Sequence, residues 1–199
     1  MVLPNRVVEG DLRVANGIIK TIAPLEGLQP ELGELVIDGT GLHLLPGAID
    51  PHVHFRDPGH PEKEDLESGS RAAAAGGITS FLDMPNTLPN ATNRVALEAK
   101  IASASVKCVT HHGFFIGATT NNVPDLQSIE GMDGVCGIKI FMGSSTGDLL
   151  VHEKKHLENI FANTRGIIAT HAEDEERLQS RIPKFNHRTD IAAHAECRD

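Results

Sequence analysis

The sequence has no tryptophan and no tyrosine, and aromatic residues make up only 4% of its 199 positions. Basic residues are also few, because 18 Lys and Arg stand against 27 Asp and Glu and leave a net charge of -9. Single-stranded nucleic acids bind to aromatic stacking platforms, and duplexes and anionic membranes need a basic surface. The composition therefore argues against a nucleic-acid or membrane partner and predicts a soluble, acidic globular protein.

Cysteine is scarce as well, with three residues at Cys108, Cys136 and Cys197. An odd number without Cys-x-x-Cys spacing predicts reduced thiols rather than a disulfide framework or a cysteine zinc site. The sequence also has no run of 18 apolar residues and no charged-then-apolar leader, so a cytoplasmic location is predicted. The number of copies that assemble is not indicated, and a homo-oligomer stays open.

The first 46 residues contain short β-like pieces separated by turn residues. Asn16-Gly17 lies between two apolar-rich runs, which is a strong signal for a β-hairpin. Residues 34–38 are predicted to form a further strand. We predict that residues 1–46 are the N-terminal part of a small β-domain, which is too small to close a core by itself.

From residue 47 onward, strand-like segments alternate with helix-sized segments, which indicates β/α units around a parallel sheet. Strands are predicted at 47–55, 78–84, 112–118, 137–142 and 166–171, and helices at 66–75, 94–104 and 153–163. Polar residues stand at or just after the C-terminal ends of four strands, where β/α barrels carry their catalytic groups. They are His52 and His54, Asp83 with Asn86, Lys139, and His171. We predict an α/β fold in which residues 47–199 form the first five β/α units of a TIM-type (β/α)8 barrel. An open five-stranded sheet is the alternative.

Two histidines separated by one residue, His52 and His54, end the most apolar run of the first fifty residues. Alternate side chains of a strand share a face, so their Cα atoms would lie roughly 6.6 Å apart and both rings could approach one ion. For the pair alone, an ordinary strand with two inward polar residues is the alternative. The turn sequence Arg56-Asp57-Pro58-Gly59 places the pair where a buried strand meets a loop, and this favours a metal site.

Lys139 lies within the apolar segment 137–142, where a charged amine is costly. Either the amine reaches solvent at a strand end, or burial lowers its pKa from about 10.4 and leaves a nucleophile that carbon dioxide could carboxylate. His171 ends another apolar run and is a candidate ligand, and the acidic residues 173–176 are predicted to form the first turn of a helix. The other histidines are assigned to loops or polar faces, with the reservation that His112 could face the barrel mouth.

Two more residues are candidates for substrate binding. A guanidinium beside a metal site needs an anion, so Arg56 predicts a substrate carboxylate. Asn86 follows the second strand and could form hydrogen bonds at the barrel mouth, although composition alone favours a turn asparagine between Pro85 and Pro89. Residues 143–147 lack the Gly-Lys-Ser/Thr ending of a phosphate-binding loop and are predicted to be a loop only.

Four segments together resemble the amidohydrolase superfamily and, within it, the dihydroorotases. The segments are Asp50-Pro51-His52-Val53-His54-Phe55-Arg56-Asp57-Pro58-Gly59, Asp83-Met84-Pro85-Asn86-Thr87-Leu88-Pro89, Gly137-Ile138-Lys139-Ile140-Phe141-Met142 and Thr170-His171-Ala172-Glu173. The first two are specific, whereas the lysine and the later histidine are shared across many cyclic-amide hydrolases. The resemblance covers nearly the whole chain and implies that residues 47–199 are the first part of a metal-dependent hydrolase barrel.

The resemblance implies a zinc enzyme that interconverts (S)-dihydroorotate and N-carbamoyl-L-aspartate in de novo pyrimidine biosynthesis. Two zinc ions per site would be held by His52 and His54 on one side, His171 on the other, and carboxylated Lys139 as the bridge between them. Arg56 and Asn86 would hold the substrate carboxylate. The family pattern also includes another histidine ligand and a general-base aspartate, which we expect beyond Asp199. We therefore predict that these 199 residues alone are poorly folded or inactive, because the barrel edge would be unpaired.

Two alternatives remain beside this hypothesis. Hydantoinase or allantoinase activity is the alternative within the same enzyme class. A non-catalytic relative that serves as an assembly partner is the alternative from a different class. Retention of the six candidate residues counts against the second alternative, because an inactive relative would be expected to lose ligands.

Overall fold

The computed structural model describes residues 1–145 and 147–199 of the chain. These residues form two compact units, Met1–Gly47 and Ala48–Asp199, whereas the sequence predicted a boundary between residues 46 and 47. No helix in the described part of the chain is both long enough and apolar enough to cross a membrane.

The first unit is built from two antiparallel β-pairs. Strand β1 (Val2–Leu3) pairs with β2 (Arg6–Val7), and β3 (Gly10–Ala15) pairs with β4 (Ile18–Pro24). Asn16 and Gly17 join β3 to β4 with φ angles of 53° and 72°. These are the left-handed values of a tight hairpin turn, which glycine and asparagine adopt most readily. The hairpin predicted from this dipeptide is confirmed.

The strand predicted over residues 34–38 is wrong. These residues form no strand, and Leu35 and Ile37 are 87% and 82% exposed. The Glu34 carboxylate lies 2.7 Å from Arg13 Nε and accepts a hydrogen bond of 2.7 Å from the Glu31 amide. The side chain thus ties the segment into a turn. A β-strand needs a neighbouring strand for its backbone hydrogen bonds, and an apolar composition does not supply one.

The second unit is a parallel sheet with strand order β5-β6-β7-β8-β9. The strands are β5 (Ala48–Val53), β6 (Ile78–Asp83), β7 (His111–Gly117), β8 (Val135–Phe141) and β9 (Ile168–His171). All five predicted strands are present, with ends within two residues of the prediction. Consecutive strands are neighbours throughout, and the sheet curls into part of a TIM-type barrel, as predicted.

Helices follow the strands along the chain. They are α1 (Leu66–Ala75), α2 (Arg94–Lys107), α3 (Val123–Ser128), α4 (Lys154–Asn163), α5 (Glu175–Phe185) and α6 (Ile191–Arg198). The acidic segment after His171 begins α5 as predicted, because Asp174 accepts a hydrogen bond from the Arg177 amide and caps the helix. Within the loop predicted over 143–147, Thr146 lies outside the described residues, and a 3₁₀ helix covers Gly147–Leu149.

Alternation along the strands separates a helix-facing side from a concave side. Ile138 and Ile140 of β8 belong to the same apolar core as Leu97 of α2 and Ile160 of α4. Lys139 lies between these two isoleucines, and successive side chains of a strand point to opposite faces. The core therefore lies between the sheet and its helices, and Lys139 lies on the concave side together with Phe141.

Gly69 allows α1 to approach the segment that follows β5. A Cβ atom added there would lie 2.8 Å from two atoms of the Phe55 ring. Alanine normally stabilises a helix interior by up to about 1 kcal/mol relative to glycine. We expect Gly69→Ala to lower the free energy of unfolding by about 1–3 kcal/mol instead, because the added methyl overpacks the site.

Urea unfolding of the full-length protein would measure this effect. The Phe55→Leu background is the matched control, since removal of the ring should abolish most of the loss caused by Gly69→Ala. Equal losses in both backgrounds would contradict the proposed contact.

Candidate active site

The two histidines of the His-x-His motif lie at the C-terminal end of β5. His52 is within the strand and His54 is the first residue after it. Their ring centroids are 5.2 Å apart, with an angle of 48° between the ring planes. The Asp50 carboxylate accepts a hydrogen bond of 3.1 Å from the His52 amide and fixes the backbone before the pair. The rings are therefore close neighbours, as alternate residues at a strand end should be.

His54 is joined to both candidate substrate-binding residues. Its Nδ1 atom lies 2.7 Å from Asn86 Oδ1, and Arg56 Nη1 donates a hydrogen bond of 3.3 Å to the Asn86 carbonyl. Arg56 has a φ angle of 26°, which turns the chain sharply after the histidine pair. An imidazole, an amide and a guanidinium thus form one cluster at the mouth of the partial barrel. Because an amide oxygen only accepts, this contact is a hydrogen bond when Nδ1 of His54 carries the proton, and that tautomer leaves Nε2 as the electron-pair donor.

Lys139 is buried on β8, with 1% of its surface exposed. Its Nζ atom lies 5.0 Å from the centroid of the Phe141 ring. Within residues 1–145 and 147–199, no carboxylate forms an ion pair with this amine and no acceptor hydrogen-bonds to it. Burial lowers the pKa of Lys139, and no neighbouring anion opposes that effect. The amine is consequently more nucleophilic than an ordinary lysine.

His171 is the last residue of β9 and lies beside the same phenylalanine. Its ring is stacked with Phe141 at a centroid distance of 6.4 Å, and its Nε2 atom is 2.6 Å from Glu173 Oε2. Hydrogen bonds from Ser144, His171 and Arg198 hold the pKa of the Glu173 carboxyl at about 2. Glu173 is therefore ionised and orients the imidazole, which leaves Nδ1 of His171 free.

The predicted metal-binding residues are brought to one region without forming a closed cage. Partial burial lowers the pKa of His52, and the charges of Lys139 and, less strongly, His171 add to this effect. Charge repulsion of this kind requires proximity. No hydrogen bond joins the histidine pair to either residue in the described part of the chain. Among those residues, no group of three or more His, Cys, Asp or Glu side chains is placed to hold an ion.

The donors that are present fit a metal centre as an incomplete set. Two imidazoles are adjacent, a third is oriented by a carboxylate, and a buried amine has no partner of its own. Neutral imidazole nitrogen is a common zinc ligand, and oriented imidazoles are typical of zinc sites. An amine becomes an oxygen donor only after carboxylation. His52, His54, Lys139 and His171 as metal ligands, and Arg56 and Asn86 as substrate-binding residues, therefore stay predictions.

Two ion pairs behind the strand ends were missed by the sequence reasoning. Asp83 was predicted among the polar groups of the mouth, but it faces α2 and lies 2.8 Å from Lys100 Nζ. Asp57 lies 2.7 Å from Lys107 Nζ at the end of the same helix. A signal for the first pair was present, because Lys100 occupies the buried stripe of α2 between Leu97 and Ala104.

Comparison with known proteins identifies the family of the chain. The sequence profile of the Amidohydrolase family matches residues 43–172. The chain belongs to the amidohydrolase family. A dihydroorotase from Methanosarcina acetivorans is 37% identical over 173 residues, which are 86% of this chain and 36% of the relative. The predicted resemblance to the amidohydrolases, and within them to dihydroorotases, is confirmed.

Other members of this family are also similar to the chain. An allantoinase from Arabidopsis thaliana is 34% identical over 188 residues, covering 90% of this chain and 37% of the relative. The solved structure of an L-hydantoinase from Arthrobacter aurescens superimposes with a TM-score of 0.85 at 25% identity, over 98% of this chain and 44% of that one. The amidohydrolase described here thus spans little more than a third of the length of these curated relatives.

The contact between His54 and Asn86 predicts the tautomer of the imidazole. Burial lowers the pKa of His54, although the hydrogen bond with Asn86 opposes this effect, so the ring should be neutral at pH 7. We expect the Nδ1-protonated form in the metal-free full-length protein, because Asn86 Oδ1 can only accept. Two-bond ¹H–¹⁵N correlations of ¹⁵N-histidine-labelled protein would identify the tautomer, with the signal assigned by its loss in His54→Gln. In Asn86→Leu the preference should disappear, and an Nε2-protonated ring in the wild type would contradict the prediction.

Proposed function

We propose that the full-length protein is a zinc-dependent cyclic-amide hydrolase that reversibly converts (S)-dihydroorotate and water to N-carbamoyl-L-aspartate. The observation that carries the proposal is the cluster of Arg56, Asn86 and His54 at the barrel mouth. It places two groups suited to an anion directly beside a candidate metal ligand. Dihydroorotate has a carboxylate next to its cyclic amide, so one end of the substrate would meet Arg56 and the other the metal site.

The proposed metal-binding residues are His52, His54, carboxylated Lys139 and His171. A bound zinc pair would supply a water of lowered pKa and polarise the ring carbonyl. The histidine pair would hold one ion through nitrogen donors from a single strand end. Glu173 would act through His171 by keeping its ring oriented, since the carboxylate is ionised and 2.6 Å away.

Lys139 would enter the site as a carbamate. The ammonium group first loses one proton to water. The lone pair of the neutral amine then forms a C–N bond to carbon dioxide while one C=O π bond breaks, and the nitrogen releases a second proton to water. The net change replaces a cation by an anion with two oxygens. The buried amine without a partner supports this step, because burial already favours the neutral form. The new anion would also offset the positive charge of two metal ions.

Arg56 and Asn86 would position the substrate. The guanidinium would pair with the substrate carboxylate, which is the geometry in which arginine binds most strongly. The Asn86 amide would have two functions, because Oδ1 accepts from His54 while Nδ2 remains available as a donor to the carboxylate. Substrate and metal ligand would thereby be held by the same side chain.

Allantoinase or hydantoinase activity is the second candidate. The allantoinase and hydantoinase relatives cover at least as much of the chain as the dihydroorotase does. Their substrates have a cyclic amide but no ring carboxylate. Arg56 and Asn86 are therefore the residues that favour dihydroorotase activity over the other two, whereas the proposed metal ligands are common to all three activities.

We also propose that the protein acts in the cytoplasm, in pyrimidine synthesis, on a small-molecule substrate rather than a nucleic acid or a membrane. The net charge of -9 supports the small-molecule substrate over a nucleic acid or a membrane, because an acidic surface disfavours polyanionic partners. A homo-oligomer is compatible with the proposal.

Arg56→Met tests the choice of substrate in the full-length protein. We expect kcat/KM for dihydroorotate to fall by about 10- to 150-fold, because a charge-assisted hydrogen bond of about 1.5–3 kcal/mol is lost. Steady-state kinetics with dihydroorotate, hydantoin and allantoin would measure the effect. Arg56→Lys is the matched control that keeps the charge, and it should recover part of the loss. Unchanged dihydroorotate turnover in Arg56→Met, or a wild type that prefers allantoin, would contradict the dihydroorotase assignment.

Lys139→Met tests the carbamate and the metal site together. After growth or incubation with ¹³C-labelled bicarbonate, the full-length wild type should show a carbamate ¹³C signal and bound zinc by elemental analysis. Chelator treatment should abolish turnover, and added zinc should restore it. Lys139→Met should lose both the signal and most of the zinc, whereas Lys107→Met should keep both, because Lys107 pairs with Asp57. Zinc binding by the wild type without a carbamate signal would contradict the bridging role.

A further inference from the structure

Two charged side chains are buried together on the helix-facing side of the sheet, behind the strand ends. Lys100 of α2 and Asp83 at the end of β6 are each 1% exposed, and Lys100 Nζ is 2.8 Å from Asp83 Oδ2. Lys100 also donates a hydrogen bond of 2.9 Å to the Met84 carbonyl. In the described part of the chain, Asp83 Oδ2 has no donor other than this ammonium group. Each charge is tolerable in the interior only because the other is present.

The second oxygen of Asp83 reaches a different segment. Asp83 Oδ1 accepts a hydrogen bond of 3.1 Å from the backbone amide of Phe55, the residue that directly follows His54. The Met84 amide in turn donates a hydrogen bond of 3.0 Å to the Val53 carbonyl. These two hydrogen bonds join the loop that carries His54 to the loop that carries Asn86.

Packing alone does not require this arrangement. The neighbours of Lys100 on the buried stripe of α2 are Leu97 and Ala104, and an apolar residue at position 100 would continue the same stripe. Replacement of a buried ion pair by apolar residues is often neutral or stabilising. The pair differs from an apolar contact because it forms hydrogen bonds with the backbone. Asp83 accepts from the Phe55 amide, and Lys100 donates to the Met84 carbonyl. Phe55 and Met84 flank the candidate site.

We propose that Asp83 is a positioning residue that fixes the His54 loop against the Asn86 loop through its hydrogen bond to the Phe55 amide, while Lys100 neutralises its buried charge. The proposal rests on the proposed function for its consequence, which is the affinity of the site for zinc. Asp83 and Lys100 do not contact substrate or metal themselves. They act through the backbone next to His54 and through the loop that carries Asn86. Groups that orient metal ligands from outside typically change metal affinity by about 10- to 100-fold when they are removed.

Two double variants of the full-length protein separate positioning from charge pairing. Asp83→Asn/Lys100→Met removes both charges but keeps a side-chain oxygen that can accept from Phe55. Asp83→Ala/Lys100→Met removes that oxygen as well. Zinc affinity is measured on metal-free protein by competition with a chromophoric chelator. We expect the first variant to bind zinc with nearly wild-type affinity and the second to bind about 10- to 100-fold more weakly.

The melting temperature of both metal-free variants is measured as well. If Asp83 only stabilised the fold, zinc affinity would fall only in a variant whose melting temperature also falls. Arg94→Gln is the control on the same helix, since it removes the exposed ion pair with Glu98 and the hydrogen bond to the Ser128 carbonyl, neither of which involves Asp83, and it should leave zinc affinity unchanged. Equal zinc affinity of the two double variants, whether high or low, would overturn the proposal.

Amide hydrogen exchange in the metal-free wild type gives a test that does not depend on zinc or on the folding of a variant. The Phe55 amide should be protected as strongly as the amides of β6, although it lies beyond the end of β5. Exchange at the rate of an exposed loop would overturn the positioning role. A protected Phe55 amide in a protein that binds no zinc would leave the positioning intact and contradict the proposed function instead.

Discussion

A charge can be buried in a protein only if it is paired or neutralised, and two lysines of this barrel segment meet that constraint in opposite ways. Lys100, on the helix-facing side, is paired with Asp83 at 2.8 Å. Lys139, on the concave side, has no anion within reach among the residues that the structure describes, and burial lowers its pKa. The same residue type is therefore one member of an ion pair on one side of the sheet and a candidate nucleophile on the other.

The alternation of side chains along parallel strands produces this division. Ile138 and Ile140 of β8 join the core with the helices, and Lys139 lies between them on the other face. The strand ends bring polar groups from distant parts of the sequence to one side of the unit. His54 and Asn86 are 32 residues apart in the chain, yet their side chains are 2.7 Å apart. The sheet determines which face a residue occupies, and the loops determine which residues touch.

The elements that local sequence specifies were predicted well. The Asn16-Gly17 turn needs left-handed backbone angles that these residues favour, and α1 has the predicted bounds of 66–75. The segment 34–38 failed because strand formation depends on a partner strand, which no local pattern encodes. Five predicted strands and their order followed from the rhythm of apolar segments, since a β/α repeat permits few other topologies.

The candidate site was predictable in its residue types and less so in its contacts. A histidine pair on a strand and a lysine in an apolar run are visible from spacing alone. The contacts of Asn86 with His54 and of Asp83 with Phe55 depend on loop geometry, which spacing does not contain. Asp83 was placed at the mouth because it ends a strand, but its position in the alternation directs it toward α2. The spacing of Lys100 between the apolar residues Leu97 and Ala104 was a sequence signal that could have directed Asp83 to α2 instead of the mouth.

Helix α2 reaches both loops of the mouth from outside the sheet. Lys100 forms an ion pair with Asp83 and donates a hydrogen bond to the Met84 carbonyl. Lys107 pairs with Asp57, which follows Arg56 in the loop after β5. The β/α pairs β5–α1 and β6–α2 are therefore not interchangeable modules, because helix α2 is matched to the loop that follows β5. A chimaera that exchanges β6 and α2 with those of a relative would have to exchange the β5 loop with them. Recombination within such barrels should accordingly favour breakpoints that keep these two units together.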